Sequence, residues 1–138
     1  SCTAGTLPKR LTDIPGSSEV FECGIVSYSN DIKMKLLGVS PETLDTYGAV
    51  SEQTAREMAL GAKRVSGADI AISTTGLAGP GGDGVLPGGL SFVAVTDGDR
   101  VFVEKIVTGH ENDREYNRHV TATRALNLVR LMLEEKIK

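Results

Sequence analysis

Leu90-Ser91-Phe92-Val93-Ala94-Val95-Thr96, then Asp97-Gly98-Asp99, then Val101-Phe102-Val103-Glu104-Lys105-Ile106-Val107 is the stretch that decides the fold. Two runs rich in β-branched and aromatic residues flank an Asp-Gly turn, the pattern of an antiparallel hairpin. Downstream, residues 112–137 read as one long helix. Tyr116, Val120, Thr123, Leu126, Val129 and Leu133 recur there at helical spacing and predict its buried stripe. Upstream, residues 76–89 form a Gly-rich loop, and the short apolar run 68–75 reads as a buried strand.

Further upstream the period changes to that of helices. Ser51 caps a helix to about residue 65, whose Ala55, Met58, Ala59, Ala62 and Val65 share a face. Ser40-Pro41 opens a short helix that Gly48 closes, with the cap first and Pro at the first helical position. Asn30 is the expected N-cap of a helix that stops at Gly38. Residues 20–29, with Val20, Phe21, Ile25, Val26 and Tyr28, read as a strand, and residues 6–13 as a short helix ended by Pro15-Gly16. Helices and strands alternate, then a hairpin and a helix end the chain. The expectation is an α/β fold: a three-layer helix/sheet/helix sandwich around a mixed sheet, in one domain over residues 1–138.

The chain has 138 residues, enough for one hydrophobic core without staples. Its net charge of −3 offers no basic field for nucleic acid, and 4% aromatic residues with no Trp give little surface for stacking bases. No apolar run approaches a membrane span. Cys2 and Cys23 form no CxxC pair and read as two reduced thiols of a cytoplasmic protein. His110 and His119 lack ligand-like spacing to acidic partners, so neither a metal nor a cofactor is expected. The sequence opens on Ser1 rather than Met, which suggests that something upstream has been removed.

Four constellations can carry chemistry. Ser1-Cys2-Thr3-Ala4-Gly5 precedes a helix, where small residues admit a close substrate and helix-terminal N–H groups suit an oxyanion or phosphate. Ser1 is there either a nucleophile or a simple cap. Tyr28 ends the expected strand and Lys33 lies on the next helix. Lys33 is either a solvated side chain or a base whose pKa burial has lowered, with the Tyr28 hydroxyl as its relay. Thr74 to Gly84 follows an apolar strand and can aim backbone N–H groups inward, although it is neither a P-loop nor a GxGxxG fingerprint. Arg114, at the start of the last helix, either forks onto a phosphate or pairs with Glu111 or Asp113.

These pieces in this order resemble the C-terminal domain of the CinA (competence/damage-inducible) family, which includes nicotinamide-mononucleotide deamidases. The matching stretches are Ser1 to Gly5, Leu11 to Ser18, Tyr28-Ser29-Asn30 with Lys33, Leu37-Gly38-Val39, Gly48 to Glu52, and Thr75 to Gly82. The resemblance implies a metal-independent amidohydrolase that turns nicotinamide mononucleotide into nicotinic acid mononucleotide and ammonia. It implies Ser1 as nucleophile, Lys33 as base and Tyr28 as supporting hydroxyl. Thr3, Gly5, Thr75, Gly76, Gly79 and Arg114 are implied to contact substrate, Arg114 near its phosphate. Family members tend to be dimers or larger, so a homo-oligomer is expected.

Three departures follow. Ala4 stands where the family commonly has Gly, which keeps the turn if its φ is negative. Residues 83–89 differ from the family's usual loop, and the family's first helix and strand, which precede the serine, are missing. Two other functions compete. One is a non-catalytic mononucleotide-binding or regulatory module associated with competence or DNA damage. The other is an N-terminal-nucleophile hydrolase in which the Ser1 amine is its own base.

Overall fold

The computed structural model describes residues 1–135. In chain order the elements are α1 (Thr6–Thr12), a 3-10 turn (Ser17–Glu19), α2 (Asn30–Leu37), α3 (Pro41–Tyr47), α4 (Glu52–Ser66), β1 (Ala71–Gly76), β2 (Leu90–Thr96), β3 (Val101–Val107) and α5 (Arg114–Leu133).

The hairpin forms as its turn residues demand. Asp97 Oδ1 accepts from the backbone N–H of Asp99 and Arg100, at 3.1 and 2.8 Å, and sets the register Thr96 opposite Val101. β1 pairs antiparallel with the other edge of β2, Ala71 opposite Thr96, giving the order β1-β2-β3. Alternation along β2 separates its two faces. Val93 and Val95 pack with Ala122, Ala125, Leu128 and Met132 of α5. Phe92 and Ala94 pack with Ala55 and Ala59 of α4. Helix, sheet and helix therefore form three layers in an α/β fold, each fully buried Val contributing about 1.5–3 kcal/mol by leaving water.

Ser29, Ser40 and Ser51 cap α2, α3 and α4, each accepting a backbone N–H three residues on. The cap of α2 is thus Ser29, one residue before the expected Asn30. α2 lies so close on α4 that a Cβ on Gly61 would fall 1.9 Å from the Leu37 carbonyl oxygen. Only glycine permits that approach.

Three expectations are corrected. The described strands are antiparallel throughout, so the sheet is not mixed. Residues 21–28 run without ladder hydrogen bonds, and Val20 and Val26 are exposed. Their β propensity is real, but a strand also needs a partner for its backbone groups. The buried face of α5 is Asn117, Thr121, Ala122, Ala125, Leu128 and Met132, while Tyr116 and Leu133 are exposed. Small residues face the sheet and let the helix approach it, and Val120, Leu126 and Val129 flank that seam. The last residues of the expected helix, 136–137, lie outside the described residues.

Candidate active site

A cavity of about 360 Å³ opens where the end of β1, the first turn of the chain, the start of α2 and the start of α5 meet. Ser1, Tyr28, Lys33, Thr75, Gly76, Gly79 and Arg114 all line it. Thr3 and Gly5 do not. Thr3 is buried behind the wall with its hydroxyl 2.9 Å from that of Thr74, and Gly5 sits at the N-cap of α1. Ala4 has φ +49°, so the turn that presents Ser1 is built with a left-handed alanine rather than one of negative φ. That conformation costs about 1–2 kcal/mol for a residue with a Cβ.

Ser1 is tied to the end of β1. Its amine donates to the Thr74 carbonyl and, at 3.3 Å, to the Thr74 hydroxyl. Its Oγ lies 3.4 Å from the Thr75 hydroxyl. Thr75 in turn donates to the Ala49 carbonyl at 2.6 Å. With its own hydrogen committed there, Thr75 accepts a long hydrogen bond from the Ser1 hydroxyl.

Lys33 is only 2% exposed, which discards the solvated reading of this side chain. Burial pushes its pKa below the ordinary 10.5, against a smaller upward pull from Cys2. Nζ donates to the carbonyls of Ser27 and Tyr28, at 3.0 and 3.1 Å. Two tetrahedral positions of the nitrogen are thereby used, and the remaining one carries either a third proton or a lone pair.

Tyr28 supports Lys33 through its backbone, not its ring. Its phenol oxygen is 3.2 Å from Arg114 Nη2. Arg114 also donates through Nη1 to the Gly79 carbonyl. Three of the five guanidinium hydrogens stay available for an anion. Cys2 lines the cavity, and its buried thiol is pushed up in pKa chiefly by desolvation.

Two residues that sequence reasoning missed hold the walls. Asn117 Nδ2 donates to the carbonyls of Ala78 and His110, at 2.8 and 2.7 Å. Arg118 Nε donates to the Cys2 carbonyl at 3.0 Å. With Arg114 these stand at i, i+3 and i+4, so one face of the first turns of α5 grips both the Gly-rich loop and the nucleophile turn. No local sequence pattern marks either residue, since each acts on backbone carbonyls brought near by the fold. Among the described residues no three of His, Cys, Asp or Glu gather as a metal would require.

Residues 1–133 match the model of the CinA C-terminal domain. This chain belongs to that family. A putative competence-damage inducible protein of Thermoanaerobacter pseudethanolicus is 46% identical over 134 residues, 96% of this chain and 32% of that protein. A CinA-like protein of Chloroherpeton thalassium is 49% identical over 138 residues, with the same shares of 96% and 32%. The chain thus spans about a third of the length of these curated relatives. The crystal structure of the competence/damage inducible protein CihA from Agrobacterium tumefaciens superposes with a TM-score of 0.89 at 43% identity, covering 94% of this chain and 79% of that one. A CinA superfamily protein from Escherichia coli gives 0.89 at 32% identity, covering 96% and 76%. The family fold therefore extends over nearly all of the chain, cavity included. No described helix is long and apolar enough to cross a membrane.

Proposed function

We propose that this CinA domain is an amidohydrolase that cleaves the carboxamide of nicotinamide mononucleotide, with Ser1 as nucleophile and Lys33 as base. The observation that carries the reading is a serine and a buried lysine of lowered pKa on the walls of one cavity. Neutral Lys33 takes the Ser1 proton as Oγ bonds to the carboxamide carbon. The carbonyl π pair moves onto oxygen. Collapse breaks the C–N bond, the proton passes to the leaving nitrogen, and ammonia departs. Water then hydrolyses the ester and restores Ser1. The cavity volume lies within the range of small-molecule sites. Arg114, with hydrogens to spare beyond Gly79 and Tyr28, is the residue for the phosphate.

One observation favours the binding-module alternative. The resting Ser1 hydroxyl points to Thr75 and Lys33 Nζ to two carbonyls, with no hydrogen bond between the pair. On the amidase reading, substrate entry turns Ser1 toward Lys33. Incubation with nicotinamide mononucleotide, with ammonia and nicotinic acid mononucleotide both quantified, separates the two. Stoichiometric release of both supports the amidase. Calorimetric binding of the mononucleotide without release selects the binding module.

A further inference from the structure

The Gly-rich wall of the cavity has backbone donors that nothing in the fold uses. Leu77 N–H goes to the Leu90 carbonyl at 2.9 Å and Gly81 N–H to the Glu111 carbonyl at 2.8 Å. Pro80, between them, has no N–H. The N–H groups of Ala78 and Gly79 have no acceptor among the described residues, although both residues are buried and line the cavity. Buried backbone donors without partners are rare, and a pair on a cavity wall is a place for an acceptor to come from outside.

Their direction follows from what holds the opposite ends of the same peptide groups. The Ala78 carbonyl accepts from Asn117 Nδ2 at 2.8 Å. In a trans peptide the N–H of the next residue points the other way. Asn117 is buried and stands behind the loop, outside the lining of the cavity. The Gly79 N–H therefore points away from Asn117, on a residue that lines the cavity together with Ser1 and Lys33. The Leu77 carbonyl is likewise held, by Gly89 N–H at 2.7 Å, which fixes the peptide that carries the Ala78 N–H. Gly79 has φ +93°, and a Cβ there would meet the Glu111 carbonyl oxygen at 2.4 Å. The loop is thus bent tightly at the point where the donor is presented.

We propose that the backbone N–H of Gly79, with that of Ala78 beside it, receives the oxyanion of the tetrahedral intermediate, and that Asn117 is the residue that positions them. This rests on the amidohydrolase reading. It moves the oxyanion site from the turn after Ser1 to the Gly-rich loop. As the Ser1 Oγ–C bond forms, the carbonyl π pair becomes a full charge on oxygen. The two N–H groups stabilise that charge while the Ser1 proton sits on Lys33.

Two measurements test the proposal. In the first, Gly79 is replaced by glycolic acid, which exchanges the N–H for an ester oxygen and leaves the side-chain space unchanged. Loss of one such donor lowers kcat by about 10²–10³-fold, with KM held within about threefold. Asn117→Asp, which turns a donor into an acceptor against two carbonyls, gives the same kcat-selective loss. A glycolic acid variant that folds and keeps kcat within about threefold overturns the proposal. In the second, a ¹⁵N-labelled sample is titrated with pyridine-3-boronic acid, which bonds to Ser1 Oγ and places a tetrahedral boronate oxygen where the oxyanion forms. The Ala78 and Gly79 amide protons are expected to shift downfield and saturate. Saturable shifts at Cys2 and Thr3 instead, or none at residues 78 and 79, overturn it. If the unmodified protein releases no ammonia, the amidase reading fails separately and the titration alone decides the donor pair.

Discussion

Thr75→Val removes one hydroxyl from a residue that is 1% exposed and replaces it with a methyl group of nearly the same size. Two hydrogen bonds are lost. The bond to the Ala49 carbonyl, at 2.6 Å, is the strong one, and its loss leaves a buried acceptor without a donor, at about 1–3 kcal/mol. Unfolding entropy of ~2.1 cal/mol/K per residue converts this to a fall in Tm of about 3–10 °C for 138 residues. The bond from Ser1 Oγ, at 3.4 Å, is long, so its loss costs at most ~1 kcal/mol of orientation, about fivefold in kcat. Thermal unfolding followed by circular dichroism reads the first effect, and initial rates of ammonia release read the second. Thr75→Ser keeps the hydroxyl and is expected to restore both for the most part. A valine variant with unchanged Tm and unchanged kcat refutes the argument that Thr75 ties Ser1 and the Ala49 loop to the end of β1.

Lys33 is expected to make kcat/KM rise with pH until the amine has lost its proton, with the midpoint below 10.5; a profile flat in pH contradicts its role as base. The same lowered pKa means that the unfolded chain binds more protons, so stability rises with pH between the folded value and 10.5, and Lys33→Met abolishes that rise in urea titrations. Gly61→Ala places a Cβ 1.9 Å from a backbone oxygen that cannot swing aside, so overpacking of about 3 kcal/mol outweighs the ~1 kcal/mol gain in helix propensity. A more stable alanine variant refutes the close packing of α2 on α4. Asp97, held at about 2 mainly by hydrogen bonds from Arg100, contributes stability above 3.8 that is lost as pH falls toward 2; Asp97→Asn removes this part of the acid transition.

The legible parts of the fold were those coded locally. The Asp97-Gly98-Asp99 turn, the Ser40 and Ser51 caps and the glycine stops each act within a few residues, and each stands where its chemistry places it, whereas the cap of α2 fell on Ser29 rather than Asn30. The strand expected at residues 20–29 was not legible, because pairing depends on a distant partner and its carbonyls at 27 and 28 serve Lys33 instead. The seam of α5 was misplaced by reading size as burial, whereas Ala122 and Ala125 face the sheet. In the site, Ser1, Lys33 and the Gly-rich loop were found through motif order. Asn117 and Arg118 were not, since a side chain that holds a distant backbone carbonyl leaves no local pattern.

The most direct measurement is ammonia release from nicotinamide mononucleotide by the unmodified protein and by Ser1→Ala, in parallel and with mononucleotide binding followed by calorimetry. The account predicts steady release by the first, none by the second, and binding by both. Release by Ser1→Ala at the unmodified rate would contradict it.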